Sequence, residues 1–292
     1  LALVAAAVLL CQAGFFYLQA WRCELQVQRA ADDADSLRVL VVTDVHLLGR
    51  RRRSGAERLW VDWQVRASAR AAVDVHKPEV ALVLGDQFDE GSRWTPDAHW
   101  DEYADRFFSA FASFLPLKTL YLVGNHDTSF GREMRIEDLK RYEVTFGAAN
   151  RIDEIGGHTF VSLNTMALDS DVASEAVRTE ARRPTTTCSR ARCQRLLDKV
   201  QPSLVLSGHT HAWCEYQHPD AVAMEYTVPA FSWGQRPDPS YALLRLPRAG
   251  LAGMKRPPKV TACRLPSEPL TFATYAATVA TIVLTSVVRF VL

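Results

Sequence analysis

Four stretches of the chain share one pattern, in which a short and mostly branched apolar run ends abruptly in polar side chains. The runs cover residues 37–43, 80–84, 120–123 and 204–207. Continuous apolar runs of this length are typical of strands that are buried on both faces. Sheets of such strands carry their chemistry where the carboxyl ends of the strands open into loops. The pattern therefore predicts four strands that direct their following loops to one rim of the fold.

Other segments have the periods of helices and of further strands. Helices are predicted over residues 56–75, 97–114, 136–146 and 194–200. Further strands are predicted over residues 159–164, 223–228 and 241–246. The second helix has an aromatic stripe at three- and four-residue steps, formed by Trp100, Tyr103, Phe107, Phe108 and Phe111. Such a stripe is typical of a packed core rather than of a ligand platform.

Both ends of the chain are apolar. Residues 1–21 contain no charged side chain, and residues 270–292 contain only Arg289. Because a bilayer needs roughly 20 apolar residues, we predict a transmembrane helix at each end. Residues 37–246 then form one catalytic domain, and residues 247–269 form a linker. A cleaved signal peptide is the alternative for the first segment, although its apolar core is usually only about 7 to 15 residues long.

The charge of the chain gives information about its partners but does not decide its orientation in the membrane. A net charge of +1 provides no overall basic field, which argues against nucleic acid as a partner. The local run Arg50 to Arg53 is interpreted as a solvated loop, with contact to phosphate or lipid headgroups as the alternative. Basic residues beside the two apolar ends favour a cytosolic domain, but long domains translocate largely regardless of such charges. Charge alone therefore leaves the orientation open.

The six cysteines show no CxxC pair, so a structural zinc site is not expected. Cys188 and Cys193 lie close together in a polar stretch and are able to pair in an oxidising compartment. Two free thiols are an equally good interpretation.

Polar residues with ligand chemistry follow each of the four predicted buried strands. The four motifs are Asp44-x-His46, Gly85-Asp86-x-x-Asp89, Gly124-Asn125-His126-Asp127 and Gly208-His209-Thr210-His211. Oxygen and imidazole ligands suit manganese, iron or zinc. Two such ions about 3.5–4 Å apart stabilise both the attacking and the leaving oxygen of an in-line displacement at phosphorus. The motifs therefore predict metal-assisted phosphoryl chemistry.

In order and form these motifs resemble those of the calcineurin-like metallophosphoesterase superfamily, over residues 37–246. The resemblance implies a four-layer α/β/β/α sandwich with a metal site on the rim. It implies two divalent ions, of which manganese is the first expectation and iron or zinc the alternatives. The first ion would be held by Asp44, His46, Asp86 and His211. The second would be held by Asp86, which bridges the two ions, with Asn125 and His209. His126 would donate a proton to the leaving oxygen or stabilise its charge, and Asp127 would orient His126.

One element of the superfamily pattern is missing from this chain. The superfamily supplies a further histidine ligand between the Asn-His motif and the final Gly-His-x-His. The only histidine in that interval is His158, which precedes a predicted strand instead of following one and is interpreted as an ordinary turn residue. Residues 170–192 are short and polar for a usual ligand loop. Either that loop has been lost, or three protein ligands and water hold the second ion.

The apolar ends, the form of residues 85–91 and the segment 228–233 narrow the resemblance to the membrane-anchored phosphodiesterases that remodel glycosylphosphatidylinositol (GPI) anchors. This subgroup removes ethanolamine phosphate from a mannose during maturation and transport from the endoplasmic reticulum to the Golgi. The resemblance implies a multi-pass protein of endoplasmic reticulum exit sites or the Golgi, with a lumenal domain. Its partners would be the bilayer, a GPI-anchored protein or glycolipid, and a cargo receptor.

Three alternatives to this function stay open. The first is a phosphomonoesterase, and the second is a phosphodiesterase for another lipid head group. The third is a membrane-tethered adaptor that lacks turnover because the middle histidine is missing.

Overall fold

A five-stranded mixed sheet is the centre of the fold in the computed structural model, which describes residues 2–30, 36–166, 197–218, 223–248 and 257–291. The described strands are β1 Ser36–Val42, β2 Val80–Val83, β3 Thr119–Tyr121, β4 Arg151–Ile155, β5 His158–Ser162, β6 Leu204–Ser207, β7 Cys214–Gln217, β8 Met224–Thr227, β9 Ser240–Pro247 and β10 Lys259–Arg264. The order in the central sheet is β10-β9-β1-β2-β3.

The strands β1, β2 and β3 run parallel, with Leu40 opposite Ala81 and Leu82 opposite Leu120. On the other side, β9 pairs antiparallel with β1 and β10 pairs antiparallel with β9. All residues of β2 and nearly all of β1 are buried, which explains why their sequences lack the polar alternation of a half-exposed strand. The carboxyl ends of β1, β2 and β3 therefore lie at one edge.

Helices cover one face of this sheet. The described helices after the first apolar segment are α3 Gly55–His76, α4 Asp97–Ala110, α5 Asn125–Thr128, α6 Ile136–Phe146 and α7 Glu268–Val291. A capping box starts α3, because Ser54 accepts from the backbone of Glu57 and Glu57 accepts from the backbone of Ser54. The aromatic stripe of α4 is buried in the core with Phe88 and Phe146, except for the partly exposed Phe108. The interpretation of that stripe as core agrees with the structure.

The two smaller sheets cover the other face. One is the antiparallel hairpin β4–β5, and the other has the order β6-β8-β7, in which β6 and β8 are parallel. Val39, Val41 and Leu244 of the central sheet pack against Phe160 of the hairpin and Leu206 of β6. The fold is therefore mixed α/β, with helices on one face of the central sheet and strands on the other. An outer helical layer beyond the smaller sheets stays a prediction.

The first apolar segment is one continuous helix built from α1 Ala2–Leu9, a π-helical turn Leu10–Gly14 and α2 Phe15–Ala30. It extends beyond residue 21, and α2 packs on the domain against α3 and β10. The strand β10 lies within residues 247–269, which the sequence predicts to be a linker. Among the residues that the structure describes, two stretches are long and apolar enough to cross a membrane, Leu3–Gln28 and Glu268–Val288.

A disulfide and a buried polar cluster fasten α2 to the sheet. Cys23 of α2 is bonded to Cys263 of β10, with the two Cα atoms 5.5 Å apart. Beside it, His76 Nδ1 lies 2.6 Å from the Glu24 carboxylate and His76 Nε2 lies 2.7 Å from the Tyr241 hydroxyl. We call these five residues the helix junction. Burial lowers the pKa of His76, although Glu24 acts in the opposite direction.

The disulfide was not anticipated from the sequence. The pairing considered there involves Cys188 and Cys193, which lie outside the described residues.

Candidate metal centre

Four loops that follow strands β1, β2, β3 and β6 meet at one edge of the fold, and hydrogen bonds to backbone atoms hold them together. The loop after β1 is tied to the loop after β2, because the backbone nitrogens of Asp44 and His46 donate to the carbonyls of Gly85 (3.1 Å) and Asp86 (2.9 Å). The backbone nitrogen of His126 in the third loop donates to Asp86 Oδ1 at 2.8 Å. This convergence is the one that the apolar runs predict.

The loop after β6 reaches the same edge. The backbone nitrogen of His209 donates to Asp44 Oδ2 at 2.9 Å, and Thr43 Oγ1 donates to the same oxygen at 2.7 Å. One oxygen of the Asp44 carboxylate is thus used for holding loops together. The other oxygen, Oδ1, faces the imidazoles of His46 and His211.

Two groups of side chains have the composition and spacing of cation ligands. Asp44, His46 and His211 form the first group, with Asp44 Oδ1 3.3 Å from His211 Nε2 and 3.7 Å from His46 Nε2. His46, Asp86 and His126 form the second group, with His46 Nε2 3.6 Å from Asp86 Oδ2. Within each group the ligand atoms lie within 4.8 Å of one another. His46 belongs to both groups, so the structure brings four of the six predicted ligands together.

The backbone at this centre is unusual. Five of the predicted ligand residues have a positive φ between 44° and 76°, namely Asp44, His46, Asp86, His209 and His211. Residues other than glycine rarely adopt this left-handed region, which costs of the order of 1–3 kcal/mol per residue. Strain of this kind concentrates at functional sites, because the surrounding structure must hold it.

Two glycines of the motifs are required by close approach of the loops. A side chain at Gly124 would collide with the carboxylate and backbone of Asp86. A side chain at Gly208 would collide with the hydroxyl of Thr43 and the carboxylate of Asp44. The glycines therefore allow the third and fourth loops to pack directly on the two aspartates.

His46 lies in a strongly acidic and buried environment. Burial alone would lower the pKa of His46, but Asp44, Asp89 and Asp86 outweigh it and raise this pKa to about 10. Burial likewise tends to raise the pKa of Asp44, but the neighbouring imidazoles of His211 and His46 lower it below the usual range. For Asp86, burial dominates and raises the pKa. The carboxylates of Asp44, Asp86 and Asp89 thus create a site that favours positive charge.

The residues fit a divalent cation. Both ring nitrogens of His46 are buried, and neither has a hydrogen-bond partner within the described ranges. Leaving such nitrogens without partners is costly, so a ligand is expected there. Oxygen and imidazole donors around a site with net negative charge are the set that manganese, iron and zinc accept.

Asp89 is a residue of the centre that sequence reasoning left without a role. Its carboxylate Oδ1 lies 3.6 Å from His46 Nδ1, on the side of the ring opposite to Asp44 and Asp86. Its carbonyl oxygen lies 2.8 Å from His126 Nδ1. Asp89 thus touches both histidines. Its place as the last residue of the Gly-Asp-x-x-Asp motif is the signal by which it was detectable.

The orienting role that the resemblance gives to Asp127 stays a prediction, and the observed contacts of its side chain are with the backbone. The Asp127 carboxylate accepts hydrogen bonds from the backbone nitrogens of Gly124 (2.9 Å) and Phe88 (3.2 Å), and not from the ring of His126. Burial, followed by the neighbouring Asp86 charge, raises the pKa of Asp127 well above its usual value. Asp127 therefore fixes the shape of the loop, and Asp89 holds the His126 ring.

The remaining predicted ligands are less closely gathered. Asn125 opens the short helix α5 directly beside Asp86 and is half-buried. His209 contributes its backbone nitrogen, while its residue as a whole is exposed. His158 lies at the start of β5, and its Nε2 is 2.8 Å from the carbonyl of Pro247. That contact agrees with a structural role for His158. Residues 170–192, where a further ligand loop was sought, lie outside the described ranges.

A family model for the calcineurin-like phosphoesterase matches residues 37–213, which is more than half of the chain. This chain belongs to the calcineurin-like phosphoesterase family. The resemblance inferred from the four motifs is thereby confirmed. As a member, the chain is a metal-dependent phosphoesterase of a family that uses divalent metals.

Curated relatives match almost the whole chain. Metallophosphoesterase 1 of Ailuropoda melanoleuca is 30% identical, with 94% of this chain and 84% of the relative covered. Metallophosphoesterase 1 of Danio rerio is 27% identical, with 96% and 88% covered. Among solved structures, Vacuolar Protein Sorting 29 from Cryptosporidium parvum is 10% identical, with 80% of this chain and 100% of that chain covered. Its TM-score of 0.38 is too low to support an argument.

Proposed function

We propose that this phosphoesterase hydrolyses a phosphodiester of a membrane-bound glycolipid, and specifically removes ethanolamine phosphate from the mannose of GPI anchors. The observation that carries the proposal is the convergence of Asp44, His46, His211 and Asp86 at the edge of a sheet, in a chain with a long apolar helix at each end. The phosphodiester specificity and the GPI substrate rest on the sequence resemblance.

The residues of the centre divide the work of the reaction. Asp44, His46, Asp86 and His211 would hold one divalent ion, and bound metal would supply positive charge to the attacking and leaving oxygens. His126 Nδ1 donates to the carbonyl of Asp89, which fixes the ring and directs Nε2 away from that contact. The His126 side chain is 41% exposed, so Nε2 is accessible to a substrate. In its protonated form, this nitrogen donates a proton to the leaving oxygen.

We propose a second divalent ion at Asp86, Asn125 and His209, and manganese as the metal for both sites. Because only three protein ligands are assigned to this ion, it binds more weakly than the first. A metal titration of the full chain then gives two separated affinities, and activity follows the weaker one. A single affinity that accounts for all activity would contradict the second site.

Two features support our proposal for the membrane topology. The long apolar helices at both ends support a domain that is anchored by a membrane span on each side. We propose that this domain has the four-layer architecture. The Cys23–Cys263 disulfide supports an oxidising compartment for the domain side of those helices, since such bonds are rare in the cytosol. We therefore propose a lumenal domain in endoplasmic reticulum exit sites or the Golgi, in contact with GPI-anchored proteins and a cargo receptor. Protease protection in sealed microsomes tests this orientation.

The activity is tested with the full chain in detergent, because α2 and β10 are packed into the domain and a shorter fragment would lose them. The protein is stripped with a chelator and reloaded with manganese, iron or zinc. It is then assayed with bis(p-nitrophenyl) phosphate and with p-nitrophenyl phosphate. We expect faster hydrolysis of the diester, dependent on metal. Preference for the monoester would replace the proposal with a phosphomonoesterase.

The adaptor without turnover is a second candidate, favoured by the exposed position of His209 and the structural contact of His158. Metal binding without hydrolysis of either aryl substrate or of a GPI glycolipid would support it.

A further inference from the structure

Five aromatic rings pack together where the two apolar helices leave the domain. We call them the aromatic collar: Phe16, Trp60, Trp63, Trp233 and Phe272. The rings come from α2, α3, the loop before β9, and α7, and neighbouring centroids lie 4.8–6.1 Å apart. Trp60 Nε1 donates to Glu268 at 2.8 Å, and Trp233 Nε1 donates to the carbonyl of Pro266 at 2.9 Å. The collar thus joins the starting end of α7 to the domain.

The collar lies along an apolar surface that both terminal helices expose. Beyond it, toward the far ends of the two helices, large apolar side chains are exposed, namely Leu3, Val4, Val8, Leu9, Val279, Val283, Leu284, Val287 and Val288. On the domain side, α2 carries the buried helix junction with its disulfide, while Leu18, Trp21 and Leu25 of the same helix are exposed. Phe272 of the collar (54%) and Leu59 (73%), which precedes Trp60 of the collar, are largely exposed. Tryptophan is enriched where hydrocarbon meets headgroups, because its ring is apolar and its N–H is polar.

Residues 231–236, which we call the bridging segment, connect the collar to the metal centre. Trp233 belongs to the collar. Gln235 Nε2 donates to Asp89 Oδ1 at 3.4 Å, and Arg236 Nη1 donates to the carbonyl of His211 at 2.8 Å. Trp233 and Gln235 are two positions apart in the chain, so their Cα atoms are at most about 7 Å apart. The centre is therefore held close to the collar by a short and well-bonded segment.

We propose that the aromatic collar seats in the interfacial layer of a phospholipid bilayer and, through the bridging segment, holds the metal centre beside the headgroups. The substrate phosphodiester is then taken from a lipid that remains in the membrane. This inference rests on the proposed function for the reaction, but the membrane-seated surface is independent of it. A bilayer fits the collar because the collar is continuous with exposed apolar stretches on both terminal helices, which lipid would cover.

The first test compares one reacting group in two settings, using the full chain reconstituted in phosphatidylcholine vesicles. The soluble probe is bis(p-nitrophenyl) phosphate, and the tethered probe is a dioleoylglycerol that carries a p-nitrophenyl phosphodiester. For Phe272→Ala we expect kcat/KM on the tethered probe to fall about tenfold, with less than about a twofold change on the soluble probe. Val144→Ala, an exposed residue of α6, is the control and changes neither. Equal loss on both probes, or no loss, would overturn the proposal.

A second test does not depend on turnover, so it separates failure of the collar from failure of the proposed function. Vesicles with bromine on acyl carbons near the headgroups quench tryptophans that lie in the interface. The wild-type chain should lose a larger fraction of its fluorescence than Trp60→Phe, which retains an aromatic ring and removes the indole. Equal fractional quenching of the two proteins would show that Trp60 is no more accessible to the bilayer than the average tryptophan of the chain and would overturn the proposal, even with an active enzyme.

Discussion

The metal centre and the helix junction are both assembled from distant parts of the chain, but only one of them is visible in the sequence. Each loop of the centre carries its own short motif after an apolar run, so the pattern can be found one loop at a time. The junction joins single residues such as Cys23 and Cys263, which are 240 positions apart and belong to no motif. A site built from local motifs is predictable, whereas a fastening built from isolated residues is not.

The centre should show the largest effect of a single substitution. Asp86 contacts His46 and the backbone of His126, and it is the bridging ligand in our proposal. Partners that only support ligands typically account for 10–100-fold in affinity or activity, so Asp86→Asn should lower metal-dependent hydrolysis by more than about 100-fold. Hydrolysis of bis(p-nitrophenyl) phosphate by the reloaded protein measures this. A smaller loss would exclude Asp86 as a bridging ligand.

The junction should show its largest effect in stability. Replacing both Cys23 and Cys263 by serine should lower the free energy of unfolding by about 2–4 kcal/mol, because the disulfide restricts the unfolded chain. Thermal unfolding in detergent is the measurement. Cys214→Ser, a change at an exposed and unpaired thiol, is the matched control and should leave the midpoint unchanged. Identical midpoints for the double variant and the wild type would show that the disulfide does not stabilise the fold.

The roles of Asp89 and Asp127 can be separated by a pair of matched substitutions. Asp89→Asn should weaken metal affinity about 10–100-fold with little change in unfolding midpoint, because its side chain supports the ring of His46. Asp127→Asn should lower the midpoint, because its carboxylate holds the backbone nitrogens of Gly124 and Phe88. Calorimetric metal titration and thermal unfolding of both variants test the pair. The reverse pattern would return the supporting role to Asp127.

The junction should also respond to pH. Burial lowers the pKa of His76 in the folded protein, so the unfolded chain binds the proton more readily. The free energy of unfolding should therefore fall as pH drops below the usual histidine pKa of about 6.5, and stop falling once the folded pKa is passed. We expect a smaller loss than that caused by removing the disulfide. Thermal unfolding between pH 7.5 and 5.5 measures it, and His76→Gln should flatten this part of the profile. An unchanged slope in that variant would assign it to other groups.

The smallest expected effect is none at all. His158 lies in the hairpin, where its ring contacts the carbonyl of Pro247. His158→Ala should leave both metal affinities unchanged in a calorimetric titration. Loss of the weaker affinity would make His158 the missing ligand.

The helices and strands that could be predicted from the sequence are those with a continuous or regularly spaced set of apolar residues. The helix 136–146 coincides with α6, and the run 204–207 coincides with β6, because apolar spacing reports burial directly. The strand β7 was missed because all its residues are exposed, so no apolar alternation marks it. The strand β10 was missed because its partner β9 supplies the pairing, and its own polar residues resemble a linker.

Within the centre, residue types were predictable and geometry was not. Asp44, His46, Asp86 and His211 were named from the motifs, and the structure gathers them. The positive φ values of those residues could not be predicted from the sequence, because glycine is the residue type that indicates such a conformation. The same limit applied to Asp127, whose side chain bonds backbone atoms that no motif reveals.

The pairing of β1 with β9 has a consequence for how the protein is made. Leu40 lies opposite Leu243, so the central strand waits for a partner about 200 residues later in synthesis. The Cys23–Cys263 bond closes an even longer loop. Contacts of such high sequence separation slow folding, and domains fold largely as units. The nascent chain must therefore hold α2 and β1 beside an incomplete domain until β9 and β10 have emerged.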